Sequence, residues 1–296
     1  MKKVTDGWLS GFIGMLIFSG SLPATRVAVL DFDPVFLTLA RAAIAGLLAL
    51  VLLAALRPKL PARNELLPLV VVGLGVVVGF PLLTALALQH ITAAYSMVFI
   101  GLLPLATGIF GVVRGKERPR PVFWLFAVLG SLLVGAFAFA NSESSSLIGA
   151  LLMLAAVLVC GLGYAEGAVL SRRLGGWQVI CWALVLPLPL MLFAVFKFWP
   201  VSLAAVQAPA WVGLGYVSLF SMLIGFMFWY RGLALGGIAA VGQLQLLQPF
   251  FGLLLAATLL GEPFKWSMVV VMIAAAACVA GAKHVAGGRR AVAVPT

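Results

Sequence analysis

The sequence predicts an all-α integral membrane protein: ten transmembrane helices arranged as two inverted five-helix repeats, with both termini in the cytoplasm. Three observations predict it. Of the 296 residues, 64% are hydrophobic and only 9% charged, with a mean hydropathy of +1.20. A soluble domain runs nearer half apolar and a quarter charged, because its surface needs polar cover. Uncharged runs of about 20 residues, the length that crosses ~30 Å of hydrocarbon, recur along the chain. Two Pro-to-Glu signatures also stand about half a chain apart. The composition excludes a soluble enzyme, a disordered chain and a disulfide scaffold.

The predicted spans are Gly7–Thr25, Pro34–Leu56 (interrupted only by Arg41), Leu66–Leu88, Ile91–Val113, Pro121–Asn141, Leu147–Leu170 (interrupted by Glu166), Trp177–Phe196, Pro209–Tyr230, Ile238–Leu260 and Trp266–Ala282. They are continuously apolar rather than alternating, which favours helices over a barrel. Lys2 and Lys3 resemble the start of a signal peptide. The apolar run after them is too long and lacks a convincing cleavage signal, so it reads as a retained first helix. Cys160, Cys181 and Cys278 all lie inside apolar runs and read as free thiols.

The formal charge is +11. In a soluble protein that would suggest nucleic acid. Here the bases sit in short loops between apolar runs, so the expected surroundings are a lipid bilayer and no nucleic-acid partner is expected. With the N-terminus in the cytoplasm, fifteen of the 19 Lys and Arg residues fall on inner segments. Lys197 and Lys265 fall on outer ones, and Arg26 and Arg41 within spans. That asymmetry sets the orientation.

Pro104 is followed by Glu117 in Gly115-Lys-Glu-Arg-Pro119, and Pro249 by Glu262 in Gly261-Glu-Pro263. Both spacings are 13 residues, and the copies stand 145 residues apart. The chain therefore divides into a first repeat, residues 1–143, a second, 144–286, and a tail, 287–296, expected to be disordered in the cytoplasm. Five spans per repeat is odd, so the second half must enter the membrane from the opposite face. Two similar bundles of opposite topology have two nearly equivalent packings, which supplies alternating access around a site near the midplane. Pro104 and Pro249 are the candidate helix breaks.

These features resemble the EamA family of the drug/metabolite transporter superfamily, from Gly7 to about Ala282. In size and layout the chain is similar to the YddG-type bacterial amino-acid exporters. The second signature departs by lacking the arginine of the first. The resemblance implies a basket-like bundle in the cell inner membrane and export of small metabolites, often amino acids and often aromatic ones. Sugar-phosphate and drug or cation efflux are the alternatives within transport. A membrane enzyme is the distant one, for no catalytic cluster of acids or histidines is apparent. No nucleotide-binding loop occurs, and no cofactor is expected.

Polar groups inside a membrane are costly and point to function. Arg41 is a candidate anchor for a substrate carboxylate, or a clamp on helix carbonyls. Arg26 is expected to reach the outer interface or to meet Asp31 and Asp33. Glu166 reads as a proton- or ion-coupling carboxylate, or as an inner-end acid paired with a loop arginine such as Arg172 or Arg173. His90 reads as a surface histidine or an outer-gate residue; no partner stands at metal-ligand spacing, so no metal is expected. Gln243, Gln245 and Gln248 in the ninth span read as recognition amides or interhelical clamps. Tyr95, Tyr164 and Trp182 complete the candidate substrate cavity, with hydroxyls such as Ser21, Thr25, Ser218 and Ser221. Trp8, Trp177, Trp199, Trp211, Trp229 and Trp266 lie near span ends and read as interface anchors. Gly75-x-x-x-Gly79 and Gly163-x-x-x-Gly167 suit close helix contact, within the chain or in a homodimer.

Overall fold

A backbone removed from water must pair its own N–H and C=O groups, so the apolar runs fold as helices. The computed structural model describes residues 2–91, 96, 99–140, 146–200, 202–260 and 266–286. Tyr95, Glu262 and the tail lie outside the described residues. In the first half the helices are α1 (Lys2–Ser19), α2 (Ser21–Ala28), α3 (Pro34–Leu56), α4 (Arg63–Val72), a π-helical segment (Gly73–Gly79), α5 (Phe80–Ala87), α6 (Leu103–Val113) and α7 (Pro121–Ala140). In the second they are α8 (Leu147–Leu174), α9 (Gly176–Val185), α10 (Leu188–Lys197), α11 (Ala208–Tyr216), a second π-helical segment (Val217–Ile224), α12 (Gly225–Gly236), α13 (Ile238–Gly242), a 3₁₀ stretch (Gln243–Leu247), α14 (Gln248–Leu260) and α15 (Trp266–Ala286). No strand occurs among the described residues.

Five helical stretches there are long and apolar enough to cross a membrane: Lys3–Ala28, Pro34–Leu56, Arg63–Ala87, Leu147–Leu174 and Ala208–Gly236. Gly176–Val185 and Leu188–Lys197 make a sixth when taken together, bent by 46°. The bend falls at Pro187, whose ring cannot continue the helix ladder. Leu103–Val113, Pro121–Leu133 and Ile273–Val285 are shorter apolar helices. Val51, Leu132, Leu151 and Phe193 point outward, as lipid-facing side chains do.

The packing is reciprocal between the halves. α1 lies along α12, while α8 lies along α4, the first π segment and α5. The leading helix of each half thus covers the third helical run of the other. α3 packs on both arms of the bent pair, and α7 on α15. The two π segments start 144 residues apart, at Gly73 and Val217. π-helical turns are rare and concentrate at functional sites.

Glycines set both crossings. A Cβ on Gly232 would stand 2.6 Å from the Cα and N of Gly11. One on Gly75 would stand 2.7 Å from the Val159 carbonyl oxygen and 3.1 Å from the Gly163 Cα. The two small-residue spacings seen in the sequence therefore meet each other inside one chain. The Gly11–Gly232 crossing carries the same spacing on both sides, Gly7-x-x-x-Gly11 and Gly232-x-x-x-Gly236, a signal present in the sequence but not among the spacings singled out from it.

Several polar expectations take a different form. Asp33 caps α3, accepting from the Val35 and Phe36 amides at 2.8 and 3.0 Å. Asp31 accepts from the Gln207 amide at 2.8 Å. Arg26, an exposed residue, donates to the Leu88 carbonyl at 3.5 Å and forms no ion pair with either aspartate. Trp229 is no interface anchor: it is fully buried, against Phe18 and Tyr164. The three cysteines are free, as expected.

Gly232→Ala is expected to destabilise the purified protein by about 1–3 kcal/mol, the usual cost of overpacking. Gly215→Ala, where an added Cβ meets nothing within 4 Å, is expected to be neutral or mildly stabilising. Thermal unfolding in detergent, read by size-exclusion chromatography, checks the pair.

Candidate functional site

The site grows from places where the helices cannot be regular. α1 gives way to α2 at Gly20, and a Cβ there would collide with the Tyr216 ring. α5 opens with Pro81 directly after the first π segment. The 3₁₀ stretch runs straight into α14 at Gln248-Pro249. α6 starts at Leu103 with Pro104 in its first turn. Between these irregular turns lies a cavity of about 40 Å³, lined from both halves of the chain.

Its polar wall is Arg41, Ser21, Thr84, Ser221 and Gln248; its apolar wall includes Phe18, Phe80, Phe226 and Tyr164. Arg41 is only 7% exposed. Its Nη2 donates to the Val217 carbonyl at 3.3 Å and to Ser221 Oγ at 3.4 Å, both at the second π segment. Ser221 Oγ accepts from Ser21 Oγ at 2.7 Å. A first-half arginine and a first-half serine thus converge on one second-half segment. Placing an arginine deep in a membrane helix costs roughly 2.5–3.5 kcal/mol on insertion scales. Two long bonds to neutral oxygens are weak compensation.

Other buried polar atoms here also lack partners. Arg41 Nε, Thr84 Oγ1 and Gln248 Oε1 make no hydrogen bond, although the Gln248 amide nitrogen donates to the Phe18 carbonyl at 3.5 Å. A buried unpaired polar atom costs about 1–3 kcal/mol. Phe18, Phe226 and Tyr164 pack as a cluster, with ring centroids 4.9 to 6.4 Å apart. The cavity therefore combines one cation, unpaired donors and acceptors, and an aromatic surface.

Of the sequence candidates, the structure brings Arg41, Tyr164 and Gln248 together at this cavity. Gln243 and Gln245 are fully buried in the 3₁₀ stretch but outside the lining, and Gln243 donates to the Ala239 carbonyl at 3.5 Å. Trp182 is half-buried on α9 and His90 is exposed on the turn after α5; neither lines the cavity. Thr84 was not among the sequence candidates. Its signal was present: it is the only hydroxyl in the run from Leu66 to Leu88.

The opposite end of the bundle is tied by ion pairs. Glu65, in the first turn of α4, lies nineteen residues before Thr84, roughly 28 Å along a helix axis. It accepts from the Ala62 amide at 2.8 Å and meets Arg173 at 3.3 Å. Glu166, two residues beyond Tyr164, is bonded at 2.6 Å to Arg114, and not to Arg172 or Arg173. This partner holds the half-exposed Arg114 guanidinium above its ordinary arginine value, first through the hydrogen bond and then through charge.

Glu117, marked in the sequence only as a motif residue, is a junction. Its Oε1 accepts from Arg172 at 2.9 Å and from the Ile238 amide at 2.8 Å; its Oε2 accepts from the Ala239 amide at 2.8 Å. Gly237 turns the chain into α13 with φ of +95°, a conformation that suits glycine, and so aims these amides at the carboxylate.

The EamA-like transporter family matches the chain twice, over residues 6–138 and 147–282. The chain belongs to the EamA-like transporter family. As a member of this family it is a multi-pass membrane transporter of the drug/metabolite kind. It is similar to the uncharacterized transporter YdeK of Bacillus subtilis (strain 168), 66% identical over 286 residues, covering 97% of this chain and all of that one. It is also similar to the uncharacterized transporter YvbV of the same organism, 22% identical over 312 residues, covering 99% of this chain and 97% of that one. A solved crystal structure shares its fold at 20% identity, with a TM-score of 0.74 over 95% of this chain and 96% of that one.

Glu117→Ala removes three acceptor contacts, two of them to the first amides of α13. The variant is expected to lose about 1–2 kcal/mol of stability, the upper range for a lost helix cap. The Ile238 and Ala239 amides are expected to exchange with deuterium faster than in the unaltered protein. Hydrogen-exchange mass spectrometry over this peptide checks both the effect and its location.

Proposed function

We propose that this EamA-like transporter exports small metabolites, amino acids foremost, across the cell inner membrane by alternating access through the cavity around Arg41. The observation that carries the reading is a polar, partly unpaired cavity walled by both halves of the chain. A solute held there touches both halves at once, so it can bias how they pack. The cavity volume of about 40 Å³ accommodates only a few waters, since one needs roughly 10–15 Å³. A metabolite enters only when the walls part, as a carrier requires.

In this reading the ten spans form two repeats of opposite orientation, 1–143 and 144–286, with both termini in the cytoplasm. The two family matches and the reciprocal packing support the duplication. The odd span number and the excess of inner positive charge support the inversion. The ion-paired end is then cytoplasmic, and the cavity lies toward the outer end. Phe18, Tyr164 and Phe226 favour an apolar or aromatic side chain on the solute.

Counterflow in proteoliposomes across the amino acids tests this reading. Exchange of at least one neutral amino acid is expected, and Pro104 and Pro249 variants are expected to slow it. Movement of a cationic dye with no amino-acid exchange would transfer the assignment to drug efflux.

Glu166 is the ion-coupling candidate in this scheme, because protonating it would release Arg114 and loosen the cytoplasmic end. Glu166→Gln is expected to lose acceleration by an imposed proton gradient while keeping counterflow without one. Normal gradient-driven transport by that variant would remove Glu166 from the coupling role.

A further inference from the structure

We infer that the transported solute must carry a carboxylate, which binds the Nε–Nη2 edge of Arg41 and, in doing so, breaks the bond that ties α3 to the second π segment. The inference rests on the carrier reading and deepens it.

Arg41 is buried in the cavity wall, and among the described residues no acid pairs with it. The described ion pairs are made by Glu65, Glu117 and Glu166, none of which lines the cavity. The site is therefore positive, with no counter-charge among its described lining residues. A cationic solute would be repelled, whereas an anionic group would supply the missing charge.

The geometry is more specific than the charge. A guanidinium takes a carboxylate side-on through Nε and Nη2, which point the same way and match two carboxylate oxygens. Here Nε is buried without a partner. Nη2 is held only by the long contacts to Val217 O and Ser221 Oγ, at 3.3 and 3.4 Å. Charge-assisted bonds of this type run near 2.7–2.9 Å and are roughly twice as strong as neutral ones. A carboxylate on that edge thus satisfies Nε and draws Nη2 away from the π segment. Ser221 keeps its bond to Ser21. The released element belongs to the second half and Arg41 to the first, so solute binding removes a bond between the halves where a carrier has to part. Gln248 Oε1 and Thr84 Oγ1, both buried and unpartnered on the same wall, remain to accept from a donor on the solute.

Four probes with one aromatic body separate the charges: L-phenylalanine, phenylacetate, L-phenylalanine methyl ester and phenethylamine. Binding to the purified protein is read as thermal stabilisation against concentration. Phenylalanine and phenylacetate are expected to stabilise it, and the ester and the amine to need at least tenfold higher concentration. Arg41→Lys keeps the charge and loses the fork, so it is expected to weaken both carboxylates at least tenfold. Hydrogen exchange over Val217–Ile224 is expected to rise with the carboxylates only. Equal binding of the amine or ester, no binding of either carboxylate, or unchanged carboxylate affinity in a folded Arg41→Lys protein overturns the inference. Should Arg41→Lys not fold, the four-probe comparison on the unaltered protein decides. Counterflow is read separately. Carboxylate binding without transport would overturn the carrier reading alone; transport of phenethylamine with no response to carboxylates would overturn the anchor and leave the carrier.

Discussion

The Arg41 guanidinium lies in an apolar bundle beside two neutral oxygens and no described acid, and much of the surrounding architecture answers to it. α3 must hold it within reach of the second π segment. Ser21 must approach Ser221 from the break after α1. Thr84 and Gln248 add polar atoms without partners, and each such atom is a local cost of about 1–3 kcal/mol. A fold keeps such a cavity only if its walls cannot collapse into it. The glycine crossings supply that stiffness: α1 on α12 and α8 on the first π segment approach closely enough for backbone to meet backbone.

The two ends of the molecule differ in kind. Toward one end the halves meet through long hydrogen bonds and an aromatic cluster around the cavity. At the other, three carboxylates and three arginines tie α4, α8 and the segment after α6. Glu117 also holds the start of α13, so one side chain links the end of α6 to the beginning of a second-half helix. In each ion pair water reaches the arginine, whereas Glu65 and Glu166 are buried. Water that reaches the arginines can solvate them when a pair parts, which suits the proposed opening seam.

The helical plan was legible because lipid imposes a length and a composition, and the Pro-to-Glu spacing exposed the duplication. The free thiols followed from the same apolar patterning, whereas the glycine spacings left contact within the chain or in a dimer open until the fold paired them. Partners were far less legible. Glu166 stands close in sequence to Arg172 and Arg173 yet bonds Arg114, which is 52 residues away. Glu117 reaches amides 121 and 122 residues on. Trp229 looks like an interface residue by its place near a span end, and packing makes it core. Arg41 was legible as a costly charge; of the roles weighed for it, the structure shows the grip on a carbonyl, at a position in the cavity wall. The π segments had no sequence signal, since their apolar composition is that of any buried helix.

Alternating exposure of the cavity is the central claim, and side-specific labelling tests it most directly. Thr84→Cys, in a protein whose three native cysteines are replaced, is treated with a membrane-impermeant thiol reagent from either face of sealed vesicles. The account expects labelling from both faces while solute exchanges, and from one face only once the ion-paired end is cross-linked shut. Labelling from neither face during exchange, or unchanged labelling from both faces after the cross-link, would contradict it.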